Sequence, residues 1–192
     1  MNETRNVGIS RGDALSLLHE YIAMDNLRKH CLATEVIMKA LAKKLGHNEN
    51  AWGIAGLLHD LDYEETKDNP TQHGLKTAEI LDAKGVDPEI IKAIKAHNAE
   101  ALGISREDDI SYALTCAECI TGLIVATTLV YPDKKITSVK SKSILKRMKQ
   151  KEFARNVSRE LIKECEKINM TLEEFAELSL QAMQSIDEDL EL

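Results

Sequence analysis

Apolar residues recur along this chain at spacings of three and four, the period of a helix, with little of the alternation that marks strands. Ser10 or Asp13 can start a first helix that carries Leu15, Leu17, Leu18 and Ile22. Asp25 or Asn26 can cap a second, with Leu27, Cys31, Thr34, Ile37, Met38 and Leu41 on one face, and Gly46 ends it. A third begins near Asn48, carries Trp52, Ile54, Ala55, Leu57 and Leu58, and runs into His59-Asp60. The polar stretch from Asp62 to Gln72 reads as a loop.

A fourth helix is predicted from about Gln72 to Lys84, closed by Gly85. Asp87-Pro88 marks the start of a fifth, because Asp caps and Pro suits the first helical position. That helix holds Ile90, Ile91, Ile94 and His97. Ser105, with Asp108 three residues on, suggests another start, from which a long apolar helix runs to about Val130 before Pro132. Two more helices are expected over Ser141 to Ile168 and Thr171 to Asp187, the second opened by the capping box Thr171-Leu172-Glu173-Glu174. The expected architecture is all-α, a single-domain helical bundle over residues 1–192. Its core spans about residues 25–131, with C-terminal helices over 139–187 packed on it.

Composition supports this reading. Nine glycines and three prolines in 192 residues leave little strand punctuation, and 43% apolar with 30% charged residues fits a globular chain with a sizeable core. A net charge of −7 argues against a nonspecific nucleic-acid binder, so no nucleic-acid polymer is expected as partner. The basic residues are uneven, however. Lys134, Lys135, Lys140, Lys142, Lys146, Arg147, Lys149 and Lys151 form a block without an acid, which is either a solvated helix face or an anion-facing edge.

The opening MNETRNVGISRGDA lacks the apolar run of a secretory signal. The longest apolar stretch, Ile120 to Tyr131, is short of the roughly 20 residues that span a bilayer. Cys31, Cys116, Cys119 and Cys165 lie within helical patterns, so reduced thiols in a cytoplasmic protein without a membrane partner are expected. Cys116-Ala-Glu-Cys119 puts both thiols on one helix face, and core packing accounts for them better than a zinc site, which would need a second pair.

The chemistry-bearing residues are unusual in their placement. His30, His59-Asp60, His73, His97 and Glu118 all fall at helix ends or on apolar faces, where a polar side chain is costly unless it is paired or ligated. Imidazoles mixed with carboxylates suit divalent ions such as iron, manganese, cobalt, nickel or zinc. Any one histidine alone is more simply a hydrogen-bonded core or surface residue, and His19 and His47 are read that way.

The order His30, then His59-Asp60 in "HDLDYE", then "QHGLKTAEIL", "IIKAIKAHN" and "AECITGLIVAT" resembles the HD superfamily of metal-dependent phosphohydrolases, and the similarity spans most of Leu27 to Glu160. The resemblance implies His30, His59, Asp60 and Glu118 as metal ligands, with His73 and His97 joining Asp60 around a second ion. One or two divalent ions are therefore expected, with magnesium added to the metals above. It further implies hydrolysis of a small phosphorylated substrate, such as a nucleotide, by activated water. Asp60, Asp62 and Glu64 would be the catalytic carboxylates, and Lys149 and Arg159 would contact phosphate. Two positions depart from the family pattern: Glu118 stands where Asp is usual, and Asn98 where dinuclear members have a second histidine.

The leading expectation is thus an enzyme, a phosphatase or phosphodiesterase, with room for a homo-oligomer. The alternative is a catalytically weakened HD-fold module that binds a nucleotide or metal, which Glu118 favours. A third reading is a helical scaffold in which the histidines are only packed.

Overall fold

The computed structural model describes residues 7–192, and among them there is no strand. Helix α1 (Arg11–Tyr21) starts where the Ser10 side chain accepts the Asp13 N–H. Helix α2 (Asp25–Leu45) ends on Gly46, whose φ of 79° supplies the left-handed turn that stops it. Helix α3 (Glu49–Leu58) is capped by Asn48, and α4 (Tyr63–Thr66) follows as a single turn inside the stretch expected to be a loop. Then come α5 (Leu75–Ala83) and α6 (Pro88–His97), the latter capped by Asp87 with Pro88 behind it.

A short α7 (Ala99–Leu102) precedes the long α8 (Asp109–Leu129), which Asp108 caps. Ser105 to Glu107 therefore lie outside the helix predicted to begin there. After a 3-10 turn at Ile136–Ser138 the chain forms α9 (Ser141–Met148), α10 (Arg159–Lys163), a 3-10 segment (Glu164–Ile168), α11 (Leu172–Gln184) and α12 (Asp187–Leu190). The Thr171/Glu174 capping box is present at the head of α11.

The continuous helix expected over Ser141 to Ile168 is instead broken at 149–158. Lys149 to Glu152 present four polar residues in a row, so nothing apolar at helical spacing holds that turn to the core. Ala154 then takes φ of 45°, and Ser158 recaps the chain.

One hydrophobic cluster runs through the molecule from Val7 to Leu190. Helix α8 is its axis, touching α2, α3, α6, α9, α10 and α11. By length and composition α8 is apolar enough to cross a membrane, but two thirds of that window is buried inside the bundle (67%). Helices α2 and α3 make the most extensive pairing. Gly56 lets them approach, since a Cβ there would lie 2.9 Å from the Thr34 carbonyl and from the Glu35 N–H nitrogen. The buried Glu35 takes both Arg11, through a bidentate contact, and Lys39, tying α1 to α2.

Candidate metal centre

Helix α2 carries His30, the end of α3 carries His59 and Asp60, the turn before α5 carries His73, and α6 ends on His97. Close packing of α2 on α3 brings His30 Nε2 to 3.2 Å from His59 Nε2. On the other side, His73 Nε2 lies 2.9 Å from His97 Nε2. Asp60 stands between the two pairs. Its Oδ2 is 3.5 Å from His59 Nε2 and 3.7 Å from His30 Nε2, while its Oδ1 is 3.2 Å from His73 Nε2 and 3.6 Å from His97 Nε2. His30, His59 and Asp60 form one group of donors positioned to hold a metal ion, and Asp60, His73 and His97 form another.

The far side of each ring says what the near side can do. His59 Nδ1 donates to the Gly56 carbonyl at 2.8 Å, and His97 Nδ1 donates to the Ile94 carbonyl. Both carbonyls only accept, so these rings carry their hydrogen on Nδ1 and leave Nε2 as a lone pair. His30 Nδ1 faces Thr121 Oγ1 at 2.9 Å, and that hydroxyl spends its own hydrogen on the Glu118 carbonyl at 2.7 Å. His30 therefore donates to Thr121, and in the neutral ring its Nε2 is a lone pair. Two lone pairs and a carboxylate oxygen thus point at one small space, an arrangement that a cation satisfies and a hydrogen bond does not. Nitrogen and oxygen donors of this kind fit borderline divalent ions.

The electrostatics agree. Burial lowers His59 to about 3, against the pull of Asp60, so the ring is neutral and able to ligate. Burial would raise Asp60, but the surrounding imidazoles outweigh it and hold the carboxyl well below its ordinary range, and the hydrogen that reaches it is the one on His73 Nε2, 3.2 Å from Oδ1. His73 is different. Burial would lower it, yet hydrogen bonds to Asp60 and Asp62 raise it to about 9, so in the metal-free protein a proton on Nε2 occupies the space between His73 and His97. A cation held by the second group would take the place of that proton.

Several expected roles change. Asp62 is buried, and its oxygens accept from His73 Nδ1 at 2.7 Å, Gly74 N–H at 2.8 Å and Thr77 N–H at 3.0 Å. It has no face left for substrate, so it orients His73 rather than transferring protons. Those same donors overcome burial and lower its pKa. Glu64 is likewise corrected, because its Oε1 accepts the Ala23 and Met24 N–H groups at 2.8 and 2.7 Å, closing the turn that leads into α2. Neither Asp25 nor Asn26 caps that helix. Met24 occupies the cap position, without a side-chain bond.

Arg159, expected on phosphate, donates instead to the carbonyls of Ala154 and Val157 at 2.7 Å each, of Gln150 at 3.3 Å, and of Phe153. It clips the 150–157 loop into shape. Lys149 lies exposed just past α9, at the start of that loop. Glu118 is close enough for His30, His97 and Asp60 to influence its charge, and burial raises its pKa. It belongs to neither three-residue group, however, and its Oε1 takes the Cys119 thiol at 2.9 Å. Of the cysteine pair, Cys116 packs in the core and all four thiols are free.

Residues that sequence reasoning passed over hold the centre in place. Thr121 fixes His30, and Thr77 supports Asp62. Arg106, with a side chain only 5% exposed, joins the His97 carbonyl to Thr115, Glu100 and Glu164. A threonine three residues after Glu118 in an apolar helix, and an arginine next to that helix's start, were the available signals. Gly74 is also required. Its φ is 83°, and a Cβ on it would lie 3.2 Å from the Ile94 carbonyl oxygen, so a side chain beside His73 would be both strained and crowded.

A family model described as HD domain matches residues 27–125, just over half of the 192-residue chain and the span that holds His30, His59, Asp60, His73, His97 and Glu118. No solved structure matches the chain. With that match lying across helices that gather histidines and an aspartate into metal-holding groups, the chain belongs to the HD domain family.

Proposed function

We propose that this protein is a phosphohydrolase that uses one or two divalent ions to cleave a small phosphate ester, with nucleotides among the substrates to be tested. The observation that carries the reading is the pair of bare Nε2 atoms on His30 and His59 facing Asp60. His30, His59 and Asp60 would hold the first ion, and Asp60, His73 and His97 the second. A divalent cation there supplies Lewis acidity, polarising a phosphoryl oxygen and acidifying water. The chain supplies the rest. Asp60 balances the charge of both groups, Asp62 and Thr121 fix the tautomers of His73 and His30, and the buried setting keeps these contacts strong. Free cysteines accord with a cytoplasmic setting.

The test is elemental analysis of the purified protein, followed by a screen of phosphomonoesters and phosphodiesters with several divalent metals. Metal-dependent release of phosphate or of a nucleoside supports the reading. Absence of turnover with every metal, in protein that retains the metal, turns it to a second reading: a binding module without catalysis. The observation favouring that alternative is Glu118, whose carboxylate is occupied by Cys119 and stands outside both donor groups.

A further inference from the structure

The metal centre is not equally covered on all sides. The His30 side chain is 24% exposed, against 15% for His73, 10% for Asp60, 5% for His97 and 1% for His59, so His30 is the most exposed of the donors. Immediately there, between α2, α8 and the Leu190–Leu192 segment, lies a cavity of about 560 Å³ whose lining includes His30 and the Thr121 that fixes it. Half of its lining is aliphatic, Ala33, Val125, Ala126, Leu129, Leu190 and Leu192, with Asn26, Lys29 and Glu191 among the polar remainder. Leu129 is 51% exposed, an apolar side chain left at the rim with room for an apolar partner.

Two features restrict what fits. Among the described residues no Phe, Tyr or Trp lines the cavity, so a nucleobase would find no broad apolar ring to stack on. The lysine in the wall, Lys29, is already held by two carboxylates, Asp25 at 2.8 Å and Glu191 at 2.6 Å. A second phosphate placed there would meet net negative charge. A single phosphate at the donor groups, with an uncharged aliphatic body in the cavity, meets neither obstacle.

We infer that the cavity beside His30 is the leaving-group subsite, and that it selects phosphomonoesters of compact aliphatic alcohols over nucleotides. The inference rests on the phosphohydrolase reading for its chemistry, but the subsite itself is read by binding. Ala126, half-buried on α8, and Leu129, one turn on, would set the depth and the rim of the subsite.

The experiment is calorimetric titration of the full chain, equilibrated with Mn2+, with methyl-, propyl- and pentylphosphonate and with adenosine 5′-monophosphate. Hydrolysis of the matching alkyl phosphates is run in parallel. Affinity should rise by up to about fourfold per added methylene. Ala126→Phe should abolish that rise while metal content stays unchanged. Leu129→Arg, at an exposed position where folding is not at stake, should weaken pentylphosphonate alone. Affinity independent of chain length, tighter binding of the nucleotide, or a rise that survives Ala126→Phe would each overturn the subsite. Loss of hydrolysis alone, with the binding series intact, would overturn the phosphohydrolase reading and leave the subsite standing.

Discussion

His30 and His59 face each other through Nε2 atoms 3.2 Å apart, and each ring has already committed its hydrogen on the opposite side, to Thr121 and to the Gly56 carbonyl. In their neutral forms these are two acceptors at hydrogen-bond distance with no hydrogen between them, which repel each other. Packing of α2 on α3 holds them there regardless, which makes the space between them and Asp60 a preformed site for a cation. Removing one of the two rings should therefore cost the ion and not the fold. His59→Ala is expected to lower metal affinity by at least about 100-fold, more than loss of an outer support typically costs. Elemental analysis and a melting curve check it together, and undiminished metal in His59→Ala would refute the assignment.

The outer support can be separated from the donors. Asp62→Asn keeps the shape but offers His73 a weaker partner, so affinity in the second group should fall roughly 10- to 100-fold while the first is spared. Glu64→Gln should leave metal binding unchanged and cost about 1 kcal/mol of stability, because it loosens only the turn before α2. Equal metal loss in both variants would return Glu64 to the centre.

Stability of the metal-free protein should peak near pH 6.5. His59 is lowered to about 3 in the folded chain, so its contribution is full above 6.5 and is lost as pH falls toward 3. His73 is raised to about 9, so its contribution is full below 6.5 and is lost as pH rises through 9. Denaturant titrations across pH 4 to 10 in chelator should give this dome, and added metal should flatten its alkaline side by replacing the His73 proton. A curve that climbs from pH 6.5 to 9 in chelator would contradict the placement of that proton.

Gly56→Ala should disturb the first donor group from a distance. Its Cβ would sit 2.9 Å from main-chain atoms of Thr34 and Glu35, so α3 must shift away from α2. We expect a loss of roughly 1–3 kcal/mol, as for other overpacked sites, with weaker metal binding in the folded protein. Tm and metal titration measure the two effects separately.

Arg159→Ala should release the 150–157 loop. Four carbonyls lose a charged donor, and charge-assisted bonds of this kind are worth roughly 1.5–3 kcal/mol. Limited proteolysis should then cut within the loop, whereas Lys149→Ala should leave it resistant.

The sequence was legible where local rules and tertiary packing agree. Asp87 and Thr171 cap the helices they were expected to cap, Asn48 caps the one expected to begin near it, and the all-α class follows from the same periodicity. It was less legible where a residue from elsewhere intervenes. The shape of the chain across the 149–158 break depends on Arg159 reaching back to carbonyls 2 to 9 residues upstream. The role of Glu64 depends on a turn 40 residues upstream. At the centre, the spacing of His30, His59, Asp60, His73 and His97 pointed to residues that converge, but an acid beside a His-Asp pair looks the same in sequence whether it faces substrate or a neighbouring ring. Asp62 and Glu64 were indistinguishable on that ground, and only their hydrogen-bond partners separate them.

The clip made by Arg159 has a consequence for how this protein can change. The path of the loop is set by its main chain together with Arg159 at the head of α10 and Arg147 on α9, which reaches Gln150 and lies over the Phe153 ring, whereas Lys149, Lys151 and Arg155 are all exposed. Val157 seats the same loop on Gly122, which also lines the cavity beside His30; a Cβ on that glycine would lie 3.1 Å from the valine side chain. The loop is therefore an interchangeable rim: mutation can rewrite its charge and reach without a new fold having to evolve beneath it.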